Sequence, residues 1–115
     1  MPWGRRSARS LDDPSADKRL LDVLVQHGAD LSKARSTRAY VYFSSEADAR
    51  AAADQLAADR VTVEVTQQKK RSWLALLTTE MVVDEDSIRH LGDILRAVAA
   101  DHGGTYTGWE ASPSP

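Results

Sequence analysis

Cysteine is absent from the 115 residues. Disulfides, thiolate chemistry and cysteine-ligated zinc or iron–sulfur sites are excluded with it. No apolar run approaches the roughly 20 residues that a membrane span needs. A strong charge of either sign is also missing. The formal net charge is -2, so no global field draws the chain to nucleic acid or an anionic membrane. Paired arginines, Arg5 and Arg6, are followed by "LDDPSADK" rather than by the apolar stretch of a twin-arginine export signal. G-x-S-x-G, P-loop and dinucleotide fingerprints are missing too. These absences point to a soluble cytoplasmic protein that is not an enzyme and holds no cofactor. Its length predicts one domain, burying roughly two-thirds of its unfolded surface.

The patterning predicts an arm over residues 1–13, a folded domain over 14–110 and a short Ser/Pro tail over 111–115. "DPSADKRLLDVLVQHG" reads as a helix, with Asp13 or Ser15 as its cap and Leu20, Leu21 and Leu24 on one face. Gly28 fits the left-handed position that ends it. "TRAYVYF" (37–43) is a strand rich in aromatic and β-branched residues. A helix follows from Ser44 or Ser45, with a thin stripe of Ala49, Ala52, Ala53 and Leu56. "RVTVEVTQ" alternates Val61, Val63 and Val65 with Thr62, Glu64 and Thr66, as an edge strand with one wet face does. "SWLALLTT" (72–79) is apolar on both faces and therefore central. A third helix over 86–101 carries Ile88, Leu91, Leu95, Val98 and Ala99 on one side.

Without the first helix the order is β-α-β-β-α-β. Two right-handed crossovers around a hairpin make an α+β, ferredoxin-like sandwich with a four-stranded antiparallel sheet. Strands 37–43 and 72–79 lie in the middle. Tyr40 and Tyr42 point away from the face that carries Val41 and Phe43. The extra N-terminal helix is the natural cover for that second face.

Few residues carry the marks of chemistry. His27 and His102 each precede a helix-ending glycine, where a histidine favours the negative end of the helix dipole. His90 has Asp86 and Asp93 at helical spacing, a pattern better read as a solvated helix face than as a metal pair. Asp84, Glu85 and Asp86 start a helix and complement its dipole. Lys69, Lys70 and Arg71 occupy a hairpin tip, as a solvated turn that discourages edge pairing or as a phosphate contact.

The stretch "GGTYTGWE" (103–110) sets two glycines, a tyrosine, a third glycine and a tryptophan within eight residues. Gly103 and Gly104 end the last helix and let the backbone reverse into a final strand. Tyr106 then docks beside the first strand. Trp109 either closes the edge of the core or serves as a binding hot spot.

Together with "HGADLSKAR" before the strand "YVYF", this stretch resembles the ribonuclease E inhibitor family, also called regulator of ribonuclease activity B. Asp30, Leu31, Arg35, Gly103, Gly104, Tyr106, Gly108, Trp109 and Glu110 sit at the matching places. Thr107 stands where the family has Asp, and Ala34 where Pro is common. The likeness covers roughly residues 20–110. It implies a ferredoxin-like fold and a bacterial, cytoplasmic protein that binds a protein partner, an endoribonuclease, and modulates RNA decay. The interface expected from it is the rim formed by Asp30, Arg35, Tyr106, Trp109 and Glu110.

Two other readings remain open. An RNA-recognition motif shares the strand order and stacks bases on strand aromatics such as Tyr40 and Tyr42. Against it, "SWLALLTT" lacks the basic-Gly-aromatic pattern, so direct RNA contact is disfavoured. A small-ligand or dimerising module on the same fold is the third reading, by fold analogy alone.

Overall fold

The computed structural model describes residues 9–11, 14–26, 28, 30 and 32–112. Three helices and five strands follow in the order β1 (Arg9–Leu11), α1 (Pro14–Gln26), β2 (Arg35–Phe43), α2 (Glu46–Leu56), β3 (Val61–Lys69), β4 (Ser72–Met81), α3 (Glu85–Asp101) and β5 (Thr105–Ala111). Every expected helix and strand is present, with most ends moved by one or two residues. Asp13, His27 and Leu31 lie outside the described residues, as do residues 1–8 of the expected arm and 113–115 of the tail.

The sheet runs β1-β5-β2-β4-β3, each neighbour antiparallel to the next. Four of these strands make the ferredoxin-like sheet, with the two most apolar, β2 and β4, adjacent at its centre. β1 is an addition. Residues expected to belong to an arm extend the sheet by pairing with β5, Ser10 opposite Trp109. At the far end Ser112 is buried, and its N–H donates to the Ser36 carbonyl at 2.8 Å. The folded body reaches past both expected boundaries.

Alternation along β2 decides the two faces. Ala39, Val41 and Phe43 turn inward, while Tyr40 and Tyr42 turn to the other side. On the inner face α2 lies close to the sheet because Ala49 and Ala52, its buried residues, are small. Ser45 caps this helix, its Oγ accepting the Asp48 N–H at 3.2 Å. Asp84 caps α3 in the same way, taking the Ser87 N–H at 2.7 Å. α3 contributes Ile88, Leu95, Val98 and Ala99 to the core.

α1 joins this same layer, which corrects the expectation that it covers the opposite face. Its Leu20, Leu21 and Leu24 enter one core with Ala39, Val41, Ile88 and Trp109. It packs on β1 and beside α3. The physical reason is the width of the sheet: β1 extends it beyond β5 and gives a third helix something to cover. Burying each of the three leucines contributes about 1.5–3 kcal/mol. The second sheet face has no helix over it among the described residues.

The turn out of α3 is built on two glycines with different tasks. Gly103 takes φ +69°, and the Gly104 N–H reaches back to the Ala99 carbonyl at 2.7 Å. That is the closure expected at a helix C-terminus with a left-handed residue. Gly104 then passes over Phe43. A Cβ there would meet the Phe43 ring and come within 2.7 Å of the Tyr42 carbonyl oxygen.

Candidate functional site

The closing strand departs from simple alternation at one point. Tyr40 pairs with Gly108, but Val41 pairs with Tyr106, so Thr107 is the extra residue of a bulge. Gly108 permits it with φ +133°, and the Thr107 hydroxyl donates to the Tyr40 carbonyl at 3.3 Å. The bulge brings Tyr106 and Trp109 onto the same, helix-covered face. Without it, Tyr106 would fall opposite Tyr42 on the uncovered side.

Trp109 is fully buried. Its indole N–H donates to Asp17 Oδ1 on α1 at 2.7 Å, which satisfies the polar edge of an otherwise apolar ring. Tyr106 is buried beside it, with the Arg96 guanidinium of α3 5.8 Å from the ring centroid. That cation–π contact adds about 0.5–1 kcal/mol.

Glu110 lies on the other face, opposite Arg38. Its Oε1 accepts from Arg38 Nη2 at 2.7 Å and from the Tyr40 hydroxyl. The residue is only 5% exposed. Arg35 is buried as well. Its Nη2 donates to the Asp30 carbonyl at 2.6 Å and its Nη1 to the Ser112 carbonyl at 3.1 Å. One guanidinium thus holds the loop before β2 against the residue after β5.

Asp30 is exposed. Its Oδ1 accepts the Ser32 hydroxyl at 2.6 Å and the Ser32 N–H at 3.0 Å. Those bonds, more than the nearby Lys33 and Arg35 charges, hold its carboxyl below the usual range. The five residues expected at a contact rim are therefore brought into one region, around β5 and the start of β2, but four of them are buried, Arg35, Tyr106 and Trp109 on the helix-covered side and Glu110 on the other. Arg35, expected on that rim, is instead a buried clamp. Trp109 and Tyr106 belong to the core, and Glu110 to a hydrogen-bonded network.

The other sheet face carries no helix among the described residues, though Leu74 and Glu110 on it are buried. On it Tyr40 pairs with Leu76 and Tyr42 with Leu74, making a square of four side chains at the middle of β2 and β4. Thr78, Thr66 and Glu64 border the square on β4 and β3. Leu74 and Leu76 were not among the expected site residues. Their signal was present: β4 is apolar on both faces, and among the described residues only one face receives helices.

The other candidates fall in structural places. Lys69, Lys70 and Arg71 are exposed at the β3–β4 turn. His102 ends α3 with Nε2 2.9 Å from Gln55 Oε1 of α2. His90 is exposed on α3, and among the described residues no group of three His, Asp or Glu is arranged to hold a metal. Between α1 and α3 a cavity of about 30 Å³ is lined by Asp17, Glu85, Arg89 and Arg96, room for about one water.

Comparison with protein families matches residues 15–111 to the model of regulator of ribonuclease activity B. No curated protein matches the chain.

Proposed function

The chain belongs to the regulator of ribonuclease activity B family, and from that premise we propose that it is a non-catalytic regulator that binds an endoribonuclease of the ribonuclease E type in the cytoplasm. The carrying observation is the extent of the match. It runs through all three helices and through β2 to β5, so what the family shares is the folded body rather than a short motif. The chemistry of the body agrees. Asp84 caps a helix, Arg35 clamps a loop and Arg38 pairs with Glu110 across strands, and the regulator works through its surface.

The experiment is a binding and cleavage pair. Purified protein is mixed with a ribonuclease E-type nuclease, and complex formation is followed by analytical sizing. Cleavage of a labelled RNA is followed alongside. A complex and a saturable change in cleavage rate are expected. No complex at micromolar concentrations, or RNA cleavage by the protein alone, would contradict the proposal.

One observation favours direct RNA contact as a second reading: Tyr40 and Tyr42 stand half-buried on a sheet face that carries no helix among the described residues, the side where base stacking takes place in RNA-recognition motifs. Their cross-strand neighbours are Leu76 and Leu74 rather than aromatics. Glu64 and Glu80 add negative charge there, which repels phosphate. Protein contact is the better fit.

A further inference from the structure

The sheet ends differently at its two edges. β1 is three residues long and β3 nine, and a long open edge is a template for a further strand. Strand alternation shows which backbone groups of β3 face that edge. Lys69 and Ser72 pair across the tight turn at Lys70 and Arg71, the position where both N–H···O=C bonds are exchanged. Counting on along β4, Leu74, Leu76 and Thr78 turn their N–H and C=O toward β3, where they meet Thr66, Glu64 and Thr62. Val63, Val65 and Gln67 therefore turn theirs outward. The start of the strand agrees, because the Val61 N–H donates to the Ala58 carbonyl at 3.1 Å rather than to β4. Among the described residues nothing bonds to the outward groups of Val63, Val65 and Gln67.

This window is bounded at both ends. Ala58 occupies the Val61 N–H at one. At the other, a bulge between Gln67 and Lys69 breaks the register, and Lys69, Lys70 and Arg71 stand exposed beyond it. Bulges and lysines are devices that discourage edge pairing. Here they protect only the tip, and residues 63–67 contain neither proline nor lysine. On the helix side, Val61, Val63 and Val65 pack against the core yet stay half-buried, since among the described residues no element lies beyond them.

We propose that this edge pairs with the same edge of a second copy of the chain, antiparallel and centred on Val65. The proposal goes beyond the regulatory reading and does not depend on it. The symmetry of the window selects the occupant. A two-fold pairing sets Val65 against Val65 and Val63 against Gln67, and so uses every open group in about six N–H···O=C bonds. Other centres do worse. One on Glu64 sets that carboxylate against itself. One on Val63 calls on Val61, whose N–H is taken, and one on Thr66 calls on Lys69, which faces β4. In the register centred on Val65 the half-buried valine row continues across the junction. Glu64 lies opposite Thr66 of the second copy and diagonal to its Glu64. The basic tips fall at opposite ends of the pair, each beside Asp59 and Arg60 of the other copy. Because α2 packs on β3 and β4, the two α2 helices become neighbours on the same side of a shared sheet.

Sedimentation of the whole protein over a wide concentration range tests this, and a monomer–dimer equilibrium is expected. Val65→Pro removes an outward N–H and leaves the bonds to β4, a place where an edge strand tolerates proline. It should be monomeric where the native protein is dimeric, with the same circular dichroism spectrum. Thr66 reads the register from an exposed side chain, since the pairing sets it opposite Glu64 twice in each dimer. Thr66→Lys should tighten the dimer roughly fivefold and Thr66→Glu weaken it by a like factor. The same changes at Ala100, exposed on α3, control for net charge and should leave the dimer unaltered. A protein monomeric at every concentration would overturn the proposal. So would a dimer that Val65→Pro leaves intact, which would place the contact on another surface. Equal dimer strength in the two Thr66 variants, or an equal response at Ala100, would overturn it as well. Should Val65→Pro fail to fold, the Thr66 variants decide alone.

Discussion

The Trp109 indole N–H donates to Asp17 Oδ1 at 2.7 Å, joining the closing strand to the first helix across 92 positions of sequence. Trp109 has no exposed surface, so the bond lies at the junction of α1 and the sheet. It explains why a tryptophan stands among glycines: Gly108 allows the bulge that orients the strand, and Trp109 fills the space beneath α1.

Trp109→Ala should destabilise the protein by about 3–5 kcal/mol, as removal of a large buried side chain does. Trp109→Phe keeps most of the volume and loses the donor, costing about 1–3 kcal/mol. Chemical denaturation checks both. If Trp109→Phe equals Trp109→Ala in cost, the hydrogen bond rather than packing dominates, contrary to this account.

Arg35→Glu should prevent folding or cost about 3–5 kcal/mol, because it breaks a buried charged contact and leaves two carbonyls opposite a carboxylate. Arg35→Lys should also lose stability, since an ammonium cannot reproduce the two-pronged geometry. Circular dichroism and urea midpoints measure this. A fully stable Arg35→Glu protein would show that the clamp carries no weight.

Much of this fold was legible in the sequence. The period-two run "RVTVEVTQ" and the doubly apolar "SWLALLTT" marked an edge and a central strand, and both occupy those places. Gly103 was legible from its position after a helical stripe. The direction of the closing residues was not. A one-residue bulge at Thr107 exchanges the face of Tyr106, and no pattern in "TYTGWE" announces it. Arg35 misled for a related reason: a charged residue beside a loop is usually exposed, whereas here the Asp30 loop and the return of Ser112 both meet its guanidinium. The place of α1 depended on β1, whose three residues have no periodicity to read.

The acid side of the stability profile should follow two carboxylates. Hydrogen bonds from Ser87 hold Asp84 below its ordinary range, and those from Ser32 do the same for Asp30. Both folded-state values are depressed. Their contribution is present above the unfolded value of 3.8 and is lost as pH falls through the folded values. Asp84→Asn keeps an acceptor for the Ser87 N–H but cannot titrate. The difference in urea midpoint between wild type and this variant should therefore shrink as pH falls from neutral to below 3.8. An unchanged difference would contradict the assignment.

Lys69, Lys70 and Arg71 should matter little for RNA. Three phosphate contacts give a salt slope of only about -2 on a single strand, and the carboxylates on the sheet face oppose approach. Anisotropy with labelled single-stranded RNA should show no selective binding at micromolar protein. Tight, salt-sensitive binding lost on changing all three to Glu would revive the RNA reading.

The central claim, that the protein acts on a nuclease rather than on RNA, is tested most directly by one titration. Cleavage by a ribonuclease E-type nuclease is measured against protein concentration at two widely different concentrations of RNA, with the nuclease fixed and scarce. A regulator held by a nuclease surface apart from the RNA site gives half its effect at the same protein concentration in both series. A half-effect that rises in step with the RNA concentration would mean that the protein sequesters substrate, and would contradict the account.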